Sequence, residues 1–460
     1  MLRLVQPVAV AILLCASVCN AEPIGGEEPW NAFGQATYIW NEKRDFPALY
    51  TNLNGTPNSL IPENEHSYTF SATAFLGLRT WKGGEIYLAP EVISELPLSG
   101  LHGLGGSIQN AELQKTGGRA PTLYVSRVFV RQSLNLGGTL SSVASAPLQL
   151  GGTVDSRRVV LTAGNLSILD IFDKNAFAGD VRQQFFSMNF LTHSAYDFAA
   201  DARGYTWGVA GELYYDDWAF RIGRFATPRE PNQLLLDSDI FRFYGDQIEL
   251  ERRFLIDERP GKLRLLAYRN RENMGRWDDA IAALQADPTK NAASCTAFNY
   301  GSSNTSAPDL CWVRKPNVKM GVGINLEQRL RDDIGIFVRG MVSDGKTEVY
   351  SFVSSDQSVS LGTVVQGKRW GRPRDTVGLG YARNWISGSH AAYHNMGGID
   401  GFIGDGRLRY RPEQAVEIYY SSRLHDYLWV SLDYQHISNP AYNADRGPVD
   451  IIGVRVHTEF

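Results

Sequence analysis

Apolar and polar residues alternate, with a period of two, through most of this chain. The pattern is plainest at the end, where Ile452, Val454, Val456, Thr458 and Phe460 alternate with Gly453, Arg455, His457 and Glu459. It recurs at Leu428, Val430, Leu432 and Tyr434 against Trp429, Ser431, Asp433 and Gln435, and at Val318 to Leu326 against Lys319 to Glu327. Ile334, Ile336 and Val338 oppose Gly335, Phe337 and Arg339, and Tyr205, Trp207, Val209 and Leu213 oppose Thr206, Gly208, Ala210 and Glu212. Period two places successive side chains on opposite faces of a strand. Runs of about ten residues match what a tilted strand needs to cross an outer membrane. Tight polar turns at Asp216-Asp217, Arg259-Pro260-Gly261, Arg331-Asp332-Asp333 and His425-Asp426 predict antiparallel neighbours. Alternation flanked by turn residues gives roughly 16 to 18 strands. The one persuasive helical stretch runs around Asp278 to Gln285, inside a long connection.

A charged face needs a solvent. In a soluble sandwich it points out to water and the apolar face packs on a second sheet. In a membrane barrel the apolar face meets lipid and the polar face lines a wet lumen. Three features favour the barrel. Aromatics make up 11% of residues, with Trp40, Trp81, Trp207, Trp218, Trp385 and Tyr427 near strand ends, as interfacial girdles require. Phe460 closes an amphipathic strand, a signal of the kind barrel-assembly machinery reads. The start of the chain reads as a secretion signal: Arg3, an apolar stretch from Val8 to Val18, and small or polar residues to Ala21. Residues 1–21 are therefore expected to be a cleaved signal peptide and 22–460 an all-β transmembrane antiparallel barrel of about 16 strands, 18 being the alternative. Lipid attachment at Cys15 or Cys19 is disfavoured by the bulky Leu14 and Val18 before them.

Arg3 is the only charge in that signal, which leaves 44 basic against 49 acidic residues and a net charge of about −5. Nothing there favours nucleic acid as a partner. Beyond the signal only Cys295 and Cys311 remain, and in an exported chain such a pair favours one disulfide closing a loop over a metal site. The mean hydropathy of −0.24 looks soluble, but an alternating barrel averages to the same value.

Several segments also resemble one family. They are Asp201 to Gly208 with Trp218 and Arg221 to Pro228, and Tyr244-Gly245-Asp246-Gln247-Ile248-Glu249-Leu250-Glu251. With them go Gly84 to Tyr87 with Pro90-Glu91 leading into Leu98 to Gly106, Leu123-Tyr124 through Arg127, Arg131 and Gln132, and Asn439 to Pro448 followed by His457 to Phe460. In order and number these resemble the carbohydrate-selective porins (the OprB family) over about residues 31 to 460. The resemblance implies a single barrel, commonly of 16 strands, passing sugars passively across the outer membrane of a Gram-negative cell without catalysis or cofactor. It does not say which sugar. A porin for other solutes, or a structural or adhesive barrel, is the alternative.

Sugars are neutral and rich in hydroxyls, so charged groups on inward faces are the first places to look for selectivity. Arg127 and Arg131 share one face opposite Val128 and Val130, and an arginine in lipid near the midplane costs ~2–4 kcal/mol. Glu249 and Glu251 oppose Ile248 and Leu250; Arg221 opposes Phe220 and Ile222. Glu85, Glu91, Trp40 and Asp197 are weaker candidates. Each charge has a plainer reading, as part of an Arg–Glu ladder bracing the wall. Gly100 to Gly106 reads equally as a loop dipping into the pore and as an ordinary connection. No His-Glu-x-x-His spacing supports a zinc hydrolase, and no metal site is expected. Asn189, His193 and Ser194 lie close in sequence, but in a strand His193 and Ser194 would face opposite sides. The expected partners are small sugars, outer-membrane lipid and the assembly machinery, with monomer and homotrimer both open. Sidedness does not close: counting strands back from Phe460 puts the Cys295–Cys311 loop in the periplasm, while counting forward from Asp216-Asp217 puts it outside.

Overall fold

In the computed structural model, which describes residues 27–114 and 118–460, the alternating runs become strands. The expected signal peptide lies outside the described residues. The strands are β1 (Trp30–Lys43), β2 (Glu65–Trp81), β3 (Gly84–Leu96), β4 (Thr122–Asn135), β5 (Leu140–Val143), β6 (Gly152–Asp155), β7 (Arg157–Leu166), β8 (Thr206–Tyr215) and β9 (Trp218–Phe225). They continue as β10 (Tyr244–Ile256), β11 (Arg259–Met274), β12 (Lys315–Arg331), β13 (Ile334–Ser343), β14 (Gln357–Gly367), β15 (Arg372–Trp385), β16 (Glu413–His425), β17 (Leu428–Ser438) and β18 (Val449–Glu459). Sixteen of them, β1–β4 and β7–β18, close one antiparallel barrel, while β5 and β6 pair separately as a small hairpin. Closure joins β1 to β18 from Gln35–Glu459 to Lys43–Ile451, so no edge is left to meet lipid unpaired.

The outward face is the apolar one. Val322, Leu432, Val209 and Ile222 are each about half exposed or more, as side chains bathed in lipid must be when protein alone is present. Aromatics gather at the two ends of this face: Trp81, Trp218 and Tyr427 at one, Trp207 and Trp385 at the other. Trp40 lies on this face, out of register with its buried neighbours Ile39 and Asn41, so it does not line the lumen.

Connections at the two ends differ in length. Lys82-Gly83, Asp216-Asp217, Asp257-Glu258 and Asp332-Asp333 are two-residue turns at the end that also holds Phe460. The opposite end carries long loops, including 44–64, 97–121, 167–205, 275–314 and 386–412. Short turns are periplasmic and long loops extracellular in such barrels. The Cys295–Cys311 loop shares its end with 386–412, because the stretch from Ile334 to Trp385 crosses three times, as β13, β14 and β15. The backward count therefore fails and the forward count holds. The expected helix is present at Trp277–Ala286; a second, Gly388–Asn395, carries no periodic signal strong enough to find from sequence.

Two long loops fold inward. Segment 167–205 crosses the lumen and lies against β10 to β18, where inward-facing charges bind its backbone. Arg339 donates to the carbonyls of Phe190 and Ala178, and Arg455 to those of Val181 and Gln184. Glu249, Glu327 and Glu417 accept backbone N–H groups of Asp173, Ala176, and Phe186 with Ser187. A loop inside a barrel has no ladder to satisfy its peptide groups, and these side chains supply the missing partners. Phe185 and Phe190 pack with Phe337 and Tyr419 beneath it. Segment 97–114 follows the same rule. Glu413 accepts from Gly105 and Ser107, and Gly103, at φ 82°, sits where a Cβ would overlap the Leu60 backbone. Gly100 to Gly106 thus belongs to the inward-folded layer.

Candidate functional site: the lumen path

The inward loops fill the β10–β18 side and leave space along β2–β4 and β7–β9. Three adjoining cavities mark that space. An outer one of about 560 Å³ lies among the loops near His102, Tyr300 and Phe402. It shares Gln114 with a middle cavity of about 370 Å³, which in turn shares Leu169 and Asp170 with an inner cavity of about 720 Å³. The inner cavity is roofed on its periplasmic side by the connection between β5 and β6, whose Leu148 carbonyl accepts from Arg131.

Arg127 stands at the junction of the middle and inner cavities. It clamps Asp170 through two hydrogen bonds, Nε to Oδ2 at 2.7 Å and Nη2 to Oδ1 at 2.8 Å. Its guanidinium lies 5.0 Å from the centre of the Tyr205 ring. Burial pulls the Asp170 carboxyl upward, but Arg127 outweighs it and holds the group below its ordinary range. Asp170 also accepts from the Ser167 backbone N–H, which fixes the short turn that brings the loop to the wall.

Around this clamp the polar groups interlock. Glu91 accepts from Thr73 at 2.6 Å, from Tyr205 at 3.3 Å and from Tyr124, and pairs with Arg182 at 3.4 Å. Arg182 also holds Glu112 at 3.0 Å. Arg203 lies over the Tyr124 ring, whose centre is 6.1 Å from that of Tyr205. In the inner cavity Glu85 sits 3.1 Å from Arg79 and 3.9 Å from Arg131, and Tyr87 donates to it. Arg131 stacks against Tyr87 and Phe129. Lys174 reaches into the same cavity, where burial lowers its ammonium against the pull of Glu212 and Asp170.

Thus Arg127 and Glu91 line the middle cavity, and Arg131 and Glu85 the inner one. Arg221, Glu249 and Glu251 line neither. They form a buried lattice in which Arg221 contacts Glu212, Glu249 and Glu251 at 3.1, 2.7 and 3.3 Å, and Arg264 holds Glu251 at 2.8 Å. Asp197 pins a loop, accepting the N–H groups of Tyr350, Ser351 and Phe352 and pairing with Lys319 at 3.3 Å. Tyr205, placed by alternation on the outer face, precedes β8 and turns inward over Arg127. Asp170, Arg182 and Lys174 were not found from sequence, because they lie in an aperiodic loop that gives no face to read. His193 and Ser194 lie outside any strand and take separate partners, Asp173 and Asn189. Cys295 and Cys311 are bonded in the outer loop layer, with their Cα atoms 6.6 Å apart.

A closed barrel with an apolar belt, a polar lumen and constricting inward loops defines an outer-membrane porin. The model of the family "Carbohydrate-selective porin, OprB family" matches residues 59–460, and the chain belongs to that family. No curated protein matches the sequence. Among solved structures, OprB of Pseudomonas putida in its high-pH form is similar, with 15% identity, 94% of each chain covered and a TM-score of 0.66, a likeness of fold. The outer membrane channel DcaP of Acinetobacter baumannii is more distant, at 8% identity and a TM-score of 0.49 over 96% of this chain and all of that one. The protein is a carbohydrate porin of the Gram-negative outer membrane, built as a multi-pass β-barrel.

Proposed function

We propose that this porin passes small neutral carbohydrates in single file past the Arg127–Asp170 clamp, and that it carries out no reaction on them. The observation that carries the reading is the mixed character of the middle cavity. Arg127, Arg182 and Arg203 face Glu91, Glu112 and Asp170 across it, and Tyr124 and Tyr205 present ring surface between them. Paired charges cancel at long range, so an ion gains little, while each donor and acceptor serves a hydroxyl at close range. A cavity of 370 Å³ sits at the small end of the roughly 300–1,000 Å³ that small-ligand sites occupy, room for one sugar ring rather than a chain. In this reading Arg127, Arg131, Glu85 and Glu91 belong to the path, and Arg221, Glu249 and Glu251 brace the wall. The strand ending at Phe460 serves assembly of the barrel in lipid.

Proteoliposome swelling tests this. Monosaccharides should permeate faster than amino acids of similar mass, and trisaccharides much more slowly. Equal rates for sugars and amino acids would leave a general porin instead.

A further inference from the structure

We propose that the extracellular loop layer holds one divalent transition-metal ion, of which zinc is the type, on His390, His394 and Asp400. The two histidines are spaced i, i+4 on the helix Gly388–Asn395 and so share one face. All three residues are buried, at 0%, 3% and 0% exposure. His390 Nε2 lies 3.4 Å and His394 Nε2 3.7 Å from the same atom, Asp400 Oδ2, and each of the three residues offers one ligand atom within 4.8 Å of those of the other two. Ligands about 2.0–2.1 Å from a tetrahedral ion sit roughly 3.3 Å apart, so the gap is ion-sized.

The outer hydrogen bonds fix what the facing atoms are. His394 Nδ1 is 2.9 Å from the Gly398 carbonyl, which only accepts, so that nitrogen carries the proton. His390 Nδ1 is 2.9 Å from the Asp356 carboxylate, and Asp356 Oδ2 is itself fixed by the Ser387 N–H. A neutral imidazole protonated at Nδ1 presents a bare lone pair at Nε2. Neither Nε2 has a hydrogen-bond partner, and the carboxylate oxygen Asp400 Oδ2 lies close to both. Two lone pairs and an anion converging in a buried space require positive charge between them. One dication supplies it and balances Asp356 and Asp400 together. The metal-free alternative is a single proton, with His390 as an imidazolium between Asp356 and Asp400, and retention of zinc by the folded protein separates the two. Histidine held by a carboxylate or carbonyl behind it is how metal-binding imidazoles are oriented. Imidazole donors select a transition ion over calcium or magnesium.

The site joins three loops. Asp400 accepts from Ser354 of the 344–356 loop, and His390 stacks on Trp277 of the 275–314 loop at 3.9 Å, 10° from parallel. Its role is to fasten the cap over the outer mouth. His390-Ala391-Ala392-Tyr393-His394 lacks the glutamate of a His-Glu-x-x-His motif, and Asp356 and Asp400 are brought to the pair by folding alone.

Tag-free protein in detergent, stripped with chelator and equilibrated with zinc chloride, should retain one zinc per chain. Asp356→Asn should weaken zinc binding roughly 10- to 100-fold, and His394→Gln and Asp400→Asn by more than about 100-fold. Each variant is checked for barrel folding by its faster gel migration before heating. On the wild type alone, cobalt should give the visible absorption of a four-coordinate ion, and zinc should slow proteolysis within 386–412. No retained zinc, or equal retention by the wild type and a folded His394→Gln, overturns the proposal.

Discussion

Two arginine–carboxylate clusters lie on inward faces of the same wall, and they have opposite surroundings. Around Arg221 the side chains of Glu249 and Glu251 are 0% and 4% exposed, and the loop backbone at Asp173 closes over them. Around Arg127, Asp170 keeps 22% and Arg127 itself 15% of the side-chain surface open to the lumen. Both clusters obey the same alternation, and both keep charge out of lipid. What separates them is where segment 167–205 lies after it enters the barrel. A charge under the loop becomes a brace, and a charge beside it becomes lining.

This contrast can be broken from either side. The largest effect is expected at the brace. Arg221→Ala leaves Glu249 and Glu251 buried with less compensation, a loss of about 3–5 kcal/mol for a broken buried pair. The temperature at which the unheated gel form disappears should fall clearly, while sugar block in surviving channels stays near the wild-type value. At the lining, Arg127→Ala should do the reverse. A lost charge-assisted hydrogen bond is worth about 1.5–3 kcal/mol, so sugar block should weaken roughly 10-fold or more. With Asp170 left unneutralised, reversal potentials should shift toward cation preference.

Smaller effects sharpen the picture. Tyr205→Ala removes the ring beneath Arg127, a contact worth about 0.5–2 kcal/mol, and should weaken block several-fold. Tyr205→Phe keeps the ring and should retain most of it. The smallest expected change is with pH. Arg127 holds the Asp170 carboxyl below its ordinary range, so the folded protein binds fewer protons there than the unfolded chain does. The stability this contributes is complete above the unfolded carboxyl value of about 3.9 and is lost only as pH falls through the lower folded value. Asp170 therefore contributes no change in ion preference between about pH 7 and 5, and the wild type and Arg127→Lys should follow the same pH course there.

Much of this architecture is legible in the chain because a barrel wall obeys a local rule. Alternation, turn residues and the aromatic ends locate strands such as β12, β17 and β18 directly, and they place Arg127, Arg131 and Glu249 inward. The rule stops where the chain leaves the wall. Tyr205 fits the alternation of β8 but lies before its first residue, and Trp40 is on the lipid face although it was a lumen candidate. Asp170 and Arg182 are set by a loop whose course depends on contacts with β10 to β18, all distant in sequence. The backward count of crossings fails because the chain between Ile334 and Trp385 passes three times, as β13, β14 and β15.

The central claim is that sugars pass at the Arg127–Asp170 clamp and not at the Arg221 lattice. Single-channel recording in planar bilayers, with a panel of sugars as blockers, tests it on the wild type, Arg127→Ala and Arg221→Ala. The account predicts sugar-dependent block of the wild type, retained in Arg221→Ala and weakened roughly 10-fold or more in Arg127→Ala. Block that survives unchanged in Arg127→Ala, or that is lost in Arg221→Ala instead, would contradict it.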